Sequence, residues 1–307
     1  MQKIKSFAAA IAVASALFAL SAPAHAQATR TWVAGVGDDL NPCSRTAPCK
    51  TFAGAISKTA VNGFINCVDN GAYGSVTIVK SVTIDCHEAM ASILASQDGV
   101  NGIIINIAPD PKDPLRTVRL RNINIDGIGF GNIGVAILQA SAVIMEDMSI
   151  TGFFKQGIGD TRTEGGTMLA IKNSIIANNP GVGIGAGAKD NSVTLDNVHS
   201  IKNSYGLALA NTNNASVYRS VFTDNSKAGV EADGGGQLML DNSIVSYNAT
   251  GVSNSGTIEL ANSDITFNTT AFVGVSTTFG NNRVFANGAV GTLPGPAGAA
   301  APALGQQ

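Results

Sequence analysis

Two groups of residues in this sequence combine types and spacings that chemistry requires. Glu231 and Asp233 lie two apart in Val230-Glu231-Ala232-Asp233. On a strand, alternation puts both carboxyls on one face, with side-chain roots roughly 6–7 Å apart. Such a pair suits glycoside hydrolysis or cation binding, and it equally suits a solvated acidic spot. The second group is Lys155, Asp160, Arg162 and Glu164. There Arg162 would neutralise a substrate carboxylate and Lys155 would act as a base if its pKa were depressed, with Asp160 and Glu164 as ligand contacts. Mixed charges on a loop are also the ordinary solvated case. Acid–base partners must meet within hydrogen-bond reach, so separations beyond about 12 Å would leave no shared site.

Other motifs carry less. Gly129-Phe130-Gly131-Asn132-Ile133-Gly134 satisfies G-x-G-x-x-G but leads into a strand, so the helix-borne phosphate mechanism is missing. His87 and His199 read as isolated, with no Ser or Cys nucleophile motif beside either. Cys43, Cys49, Cys67 and Cys86 fall in the first part of the chain. Four cysteines allow three pairings. The reading favours Cys43–Cys49, which closes a short Pro-containing loop, and Cys67–Cys86. Zinc is the rival, but no paired C-x-x-C exists and His87 is the one nearby histidine.

The elements that position these residues come from an internal repeat. From about residue 118, units such as 168–173, 192–197, 237–242 and 257–262 each give an alternating apolar strand ending in Asn. A second short strand follows, then a Gly-led one beginning at Gly134, Gly157, Gly183, Gly206, Gly229 and Gly251. A period near 23 with three short strands predicts one triangular coil per copy, each strand pairing with its equivalents above and below at about 4.8 Å. Asn suits the sharp bends because it tolerates left-handed backbone. Two stacked Asn columns are expected. One is Asn173, Asn197, Asn242 and Asn262, with Ser220 interrupting; the other is Asn178, Asn203, Asn225, Asn248 and Asn268. A leucine-rich repeat has a similar period, but these strands hold too much Val, Ile and Gly for it. The expected fold is an all-β solenoid. Residues 51–58 read as a short amphipathic capping helix with Phe52, Ala55 and Ile56 on one face.

Composition agrees. The chain has 307 residues, 13% of them charged and 45% hydrophobic, with 35 Gly and 27 Asn, which excludes global disorder and favours turns over helices. A net charge of −2 gives no sign of a nucleic-acid partner. Residues 1–26 have the form of a signal peptide: Lys3 and Lys5, an apolar run from Phe7 to Leu20, and Ala24-His25-Ala26. An uncleaved anchor is the alternative, and no later stretch is apolar enough to span a membrane. The expected organisation is a signal peptide (1–26), a cap with a disulfide loop (27–62), the solenoid (63–287) and a disordered Gly/Ala/Pro tail (288–307). A secreted or periplasmic location follows.

The Asn-ending and Gly-led repeats, with the entry segment 32–42 and Ala47-Pro48-Cys49-Lys50-Thr51-Phe52, resemble the single-stranded right-handed parallel β-helix proteins of the pectate-lyase-like superfamily. The resemblance covers most of the mature chain and is specific for fold rather than chemistry. It implies a substrate groove along the Gly-led strands. Alternation puts Ala136, Leu138, Gly159, Gly185, Gly187, Ala208, Ala210, Glu231, Asp233 and Ser253 on its floor, a small and charge-poor surface. Gly37-Asp38-Asp39 is similar to the paired aspartates of β-helix galacturonan hydrolases but precedes the cap, where a turn role fits better. The leading expectation is an exported, non-catalytic protein with a glycan-binding or structural surface and no cofactor. The alternative is a polysaccharide lyase or hydrolase acting on acidic polysaccharide, with calcium if a lyase. A secreted passenger awaiting display is a third reading. A polysaccharide is the expected partner, and the oligomeric state is left open.

Overall fold

The computed structural model describes residues 27–297. Within them the chain winds into a parallel β-solenoid whose strands form one twenty-stranded and one ten-stranded sheet. One coil shows the plan. Strand Ser192–Ile201 follows a first face over 192–196, bends at Asn197, and follows a second face over 198–201. Strand Tyr205–Leu209 then adds the third face, which belongs to the ten-stranded sheet. Ten rungs at about 4.8 Å make a rod on the order of 45 Å.

Alternation sends one set of side chains inward, and equal coil length stacks them. In the ten-stranded sheet, Ile103, Val135, Ile158, Ile184, Leu207, Val230, Val252 and Phe272 form one unbroken buried column. Each such side chain contributes roughly 1.5–3 kcal/mol by leaving water.

The corners differ from expectation in one register detail. Asn173, Asn197, Asn242 and Asn262 occupy the bend between the first two faces with φ of 49°, 55°, 48° and 49°. The residue between them in the stack is Arg219 (φ 46°), not Ser220. Ser220 instead joins a buried ladder with Ser174, Ser243 and Ser263. Each hydroxyl donates to the carbonyl two residues back and accepts a main-chain N–H from the coil before.

At the second bend the column is Asn179, Asn203, Asn225, Asn248 and Asn268, all buried, ending at the partly exposed Asn287. Each main-chain N–H donates to the next Oδ1 at 2.9–3.1 Å. Asn178 is exposed at φ 56° and shares its position with Lys202, Asp224, Tyr247 and Phe267. Its backbone takes the left-handed turn; only the following residue points inward. Two adjacent asparagines hid which was which.

The ends also shift. Strand Ala28–Val33 pairs in parallel with Thr59–Cys67, so the stack of strands starts before residue 63. Helix α1 (Phe52–Lys58) is N-capped by Thr51 and buries Phe52, Ala55 and Ile56. Disulfides join Cys43 to Cys49 and Cys67 to Cys86, with Cα separations of 4.6 and 4.9 Å. At the other end, Ala289–Gly291 pairs with Thr270–Val273 and Gly295–Pro296 with Thr277–Gly280, so residues up to 296 belong to the stack rather than to a disordered tail. Residues 1–26, expected from the sequence to be a signal peptide, and residues 298–307 lie outside the described residues.

Candidate functional site

The outer surface of the ten-stranded sheet is built by register. One column runs Ile104, Ala136, Gly159, Gly185, Ala208, Glu231, Ser253 and Val273. Beside it, main-chain bonds align Thr161, Gly187, Ala210, Asp233 and Ser255. Between Ala136 and Ala208 the floor therefore consists of Ala and Gly. Gln156, which the sequence did not single out, lies across it. A Cβ at Gly159 would meet Gln156 Oε1 at 2.1 Å and one at Gly185 would meet Gln156 Nε2 at 2.6 Å, so the glycines make room for that amide. Along one edge an open hollow of about 410 Å³ is lined by Thr161, Thr163, Lys189, Asn211 and Thr212.

The charged candidates do not converge on this track. Asp160 points inward, in the buried column of Ile137 and Ala186. Its carboxylate accepts Arg162 Nε at 2.9 Å, Arg162 Nη2 at 2.6 Å and Asn191 Nδ2 at 2.7 Å, while Arg162 Nη1 donates to the Ala140 and Met168 carbonyls at 3.1 and 3.2 Å. Both side chains are 0% exposed. The guanidinium expected to neutralise a substrate is thus fully engaged inside the protein. Glu164 is also engaged, paired in bidentate fashion with Arg116 at 2.5 and 3.1 Å, and that bond holds its carboxyl below the usual range. Lys155 is exposed just before strand Gln156–Asp160, and Arg162 lies just after it. The strand's length separates them by more than about 15 Å. Glu231 is three rungs from Gly159, roughly 14 Å along the rod. On the outer surface, Glu231 and Asp233 remain neighbours. Burial raises the Glu231 carboxyl, the Asp233 charge adds to this, and the Ser253 hydroxyl at 3.3 Å opposes it. Exposed Asp233 is held low by the Ser255 hydroxyl and the Gly234 N–H.

His87 is not isolated. Nδ1 meets Asp85 at 2.8 Å and Nε2 meets Asp147 at 2.9 Å, and these bonds raise its pKa. Asp85 lies two residues away, but Asp147 comes from another coil sixty residues on, and linear spacing gave no signal of it. Asp39 serves the helix start: burial alone would raise its carboxyl, but the Thr51 N–H and hydroxyl and the Lys50 N–H that it accepts hold it low. Among the described residues, no three His, Cys, Asp or Glu side chains gather as a metal site.

Residues 101–269 match the model of the family described as "Right handed beta helix region". The chain belongs to that family. No curated protein matches it in sequence. Among solved structures, pectate lyase Pel9A aligns with a TM-score of 0.51 and 13% identity over 88% of this chain and 78% of its own. The A-module of mannuronan C-5 epimerase AlgE6 from Azotobacter vinelandii aligns with a TM-score of 0.52 and 12% identity, over 87% and 84%. Tailspike protein 2 from Escherichia coli O157:H7 bacteriophage CAB120 aligns with a TM-score of 0.51 and 13% identity, over 79% of this chain and 40% of its own. At these identities the likeness concerns the fold.

Proposed function

We propose that this is an exported β-helix protein whose ten-stranded sheet binds a polysaccharide chain without cleaving it. One observation carries the reading. The track of Ala136, Gly159, Gly185 and Ala208 is flat and polar-edged, with the Gln156 amide covering its two glycines, and lacks convergent acid, base and cation groups. The low Ala and Gly positions with the Gln156 amide over them leave a flat surface for an extended chain, and the amide and the polar edge supply hydrogen bonds. The pectate lyase and epimerase among the structural neighbours make a carbohydrate partner reasonable, and the two disulfides fit an oxidising compartment outside the cytosol. On the same reading helix α1 covers the N-terminal end of the core.

Affinity electrophoresis through gels loaded with neutral or uronate polysaccharides tests this. Retardation by at least one polymer is expected, without release of unsaturated or reducing ends. Ala208→Phe, which fills the track, should weaken retention about tenfold, or ~1.4 kcal/mol. No retardation by any polymer, or equal retardation of Ala208→Phe, overturns the reading.

The Glu231–Asp233 pair favours a second reading, hydrolysis with Glu231 as acid and Asp233 as the ionised partner, since their environments push the two carboxyls apart. Turnover abolished in Glu231→Gln would replace the first reading with this one.

A further inference from the structure

At the N-terminal end of the rod, on a different face from the track, a cavity of about 330 Å³ is lined by Arg30, Trp32, Arg45, Phe64, Asn66 and Glu88, among others. Three consecutive strands build it. Arg30 sits beside Phe64 in register, and Trp32 beside Asn66, which is followed by Asp85. Both disulfides frame it. The Cys43–Cys49 loop carries Arg45 and is clamped to Trp32 through main-chain bonds of 2.9 Å, while Cys67–Cys86 ties one strand end to the turn holding His87 and Glu88.

Three features are unspent by the fold. Neither Arg30 nor Arg45 forms an ion pair among the described residues, although Arg30 is held 5.0 Å above the Phe64 ring. Trp32, the single tryptophan of the chain, is half-buried in the cavity wall. Asn66 donates from Nδ2 to the Asp85 carbonyl at 3.1 Å, which fixes its amide, yet its buried Oδ1 has no hydrogen-bond partner among the described residues. A buried acceptor without a donor is unfavourable.

We propose that this cavity binds one carboxylate-bearing sugar unit. The arginines take the carboxylate, in the geometry guanidinium favours. The indole faces the ring's apolar side, and Glu88 accepts hydroxyls. His87 does not compete for the anion because both its ring nitrogens are engaged by Asp85 and Asp147. The choice of a sugar rests on the glycan-binding reading above, whereas the anion site rests on its own geometry.

Because Trp32 is unique, its fluorescence reports on this cavity alone. Titrating the purified protein with galacturonic acid should give a saturable change; galactose and inorganic sulfate at equal concentration should not. The Arg30→Ala/Arg45→Ala variant, altered only at exposed side chains, should weaken the response at least about tenfold while its far-ultraviolet dichroism stays that of the parent. Ala208→Phe should leave the response intact, so loss of track binding and loss of this site are distinguishable. No response to galacturonic acid, an equal response in the double arginine variant, or the same response to sulfate overturns the proposal.

Discussion

Replacing Arg162 with methionine should destabilise the whole rod rather than impair any surface activity. The guanidinium and the Asp160 carboxylate are both 0% exposed and meet at 2.6 and 2.9 Å. In Arg162→Met the carboxylate keeps the Asn191 amide at 2.7 Å but loses its cation, and the Ala140 and Met168 carbonyls lose a donor. An uncompensated buried charge of this kind costs about 3–5 kcal/mol. Removing the charge as well should recover most of that loss. Asp160→Leu/Arg162→Met leaves the same two carbonyls without that donor and adds the unsatisfied Asn191 amide, a cost of about 1–3 kcal/mol, but leaves no buried charge. Equilibrium urea unfolding followed by far-ultraviolet dichroism measures all three proteins. The expected order of stability is parent, then double variant, then Arg162→Met. A single variant within about 0.5 kcal/mol of the parent, the range of an ordinary surface substitution, would refute the argument. So would a double variant no more stable than the single.

Two further outcomes follow from the ladders and the surface network. Asn248→Ala removes the acceptor for both Asn225 N–H groups at 2.9 Å and the donor to the Phe222 carbonyl at 3.0 Å, and should cost about 2–4 kcal/mol in the same assay, whereas Asn242→Ala at an exposed corner should cost about 1 kcal/mol or less. His87 has a pKa raised above 6.5 by Asp85 first and Asp147 second, so its contribution is complete below about pH 6.5 and lost as pH rises through the folded-state value. With the His87 side chain 46% exposed, that contribution should stay below about 1 kcal/mol, and His87→Gln should remove this part of the loss of stability between about pH 6 and pH 9.

Much of the architecture was legible because a solenoid repeats its rules. The Gly-led spacing gave the coil length, alternation gave the inward positions of the strands led by Gly134 to Gly251, and Cys67 and Cys86 fell one coil apart. Composition also foretold a charge-poor track, since outward positions of a strand can be counted from its inward ones. The candidate site was less legible. Alternation could not tell which of Asn178 and Asn179 turns inward, because the left-handed residue between two faces interrupts the period of two. The same break moved Ser220 out of the Asn column and into a serine ladder.

What the linear chain determined by itself was the repeat, and through it the stacking of like on like, because strands of equal length wound at constant pitch have one register that buries every apolar column. What only the folded molecule decided was the fate of the isolated charges. The Asp160–Arg162 pair was held inside by the Ala140 carbonyl and the Asn191 amide of neighbouring coils, and His87 was engaged by an aspartate sixty residues on. Arg30, Trp32, Arg45 and Asn66 were gathered into one cavity by neighbouring coils and a disulfide loop. Those outcomes depend on distances between coils, and coils lie side by side in space at separations along the chain that local spacing does not encode.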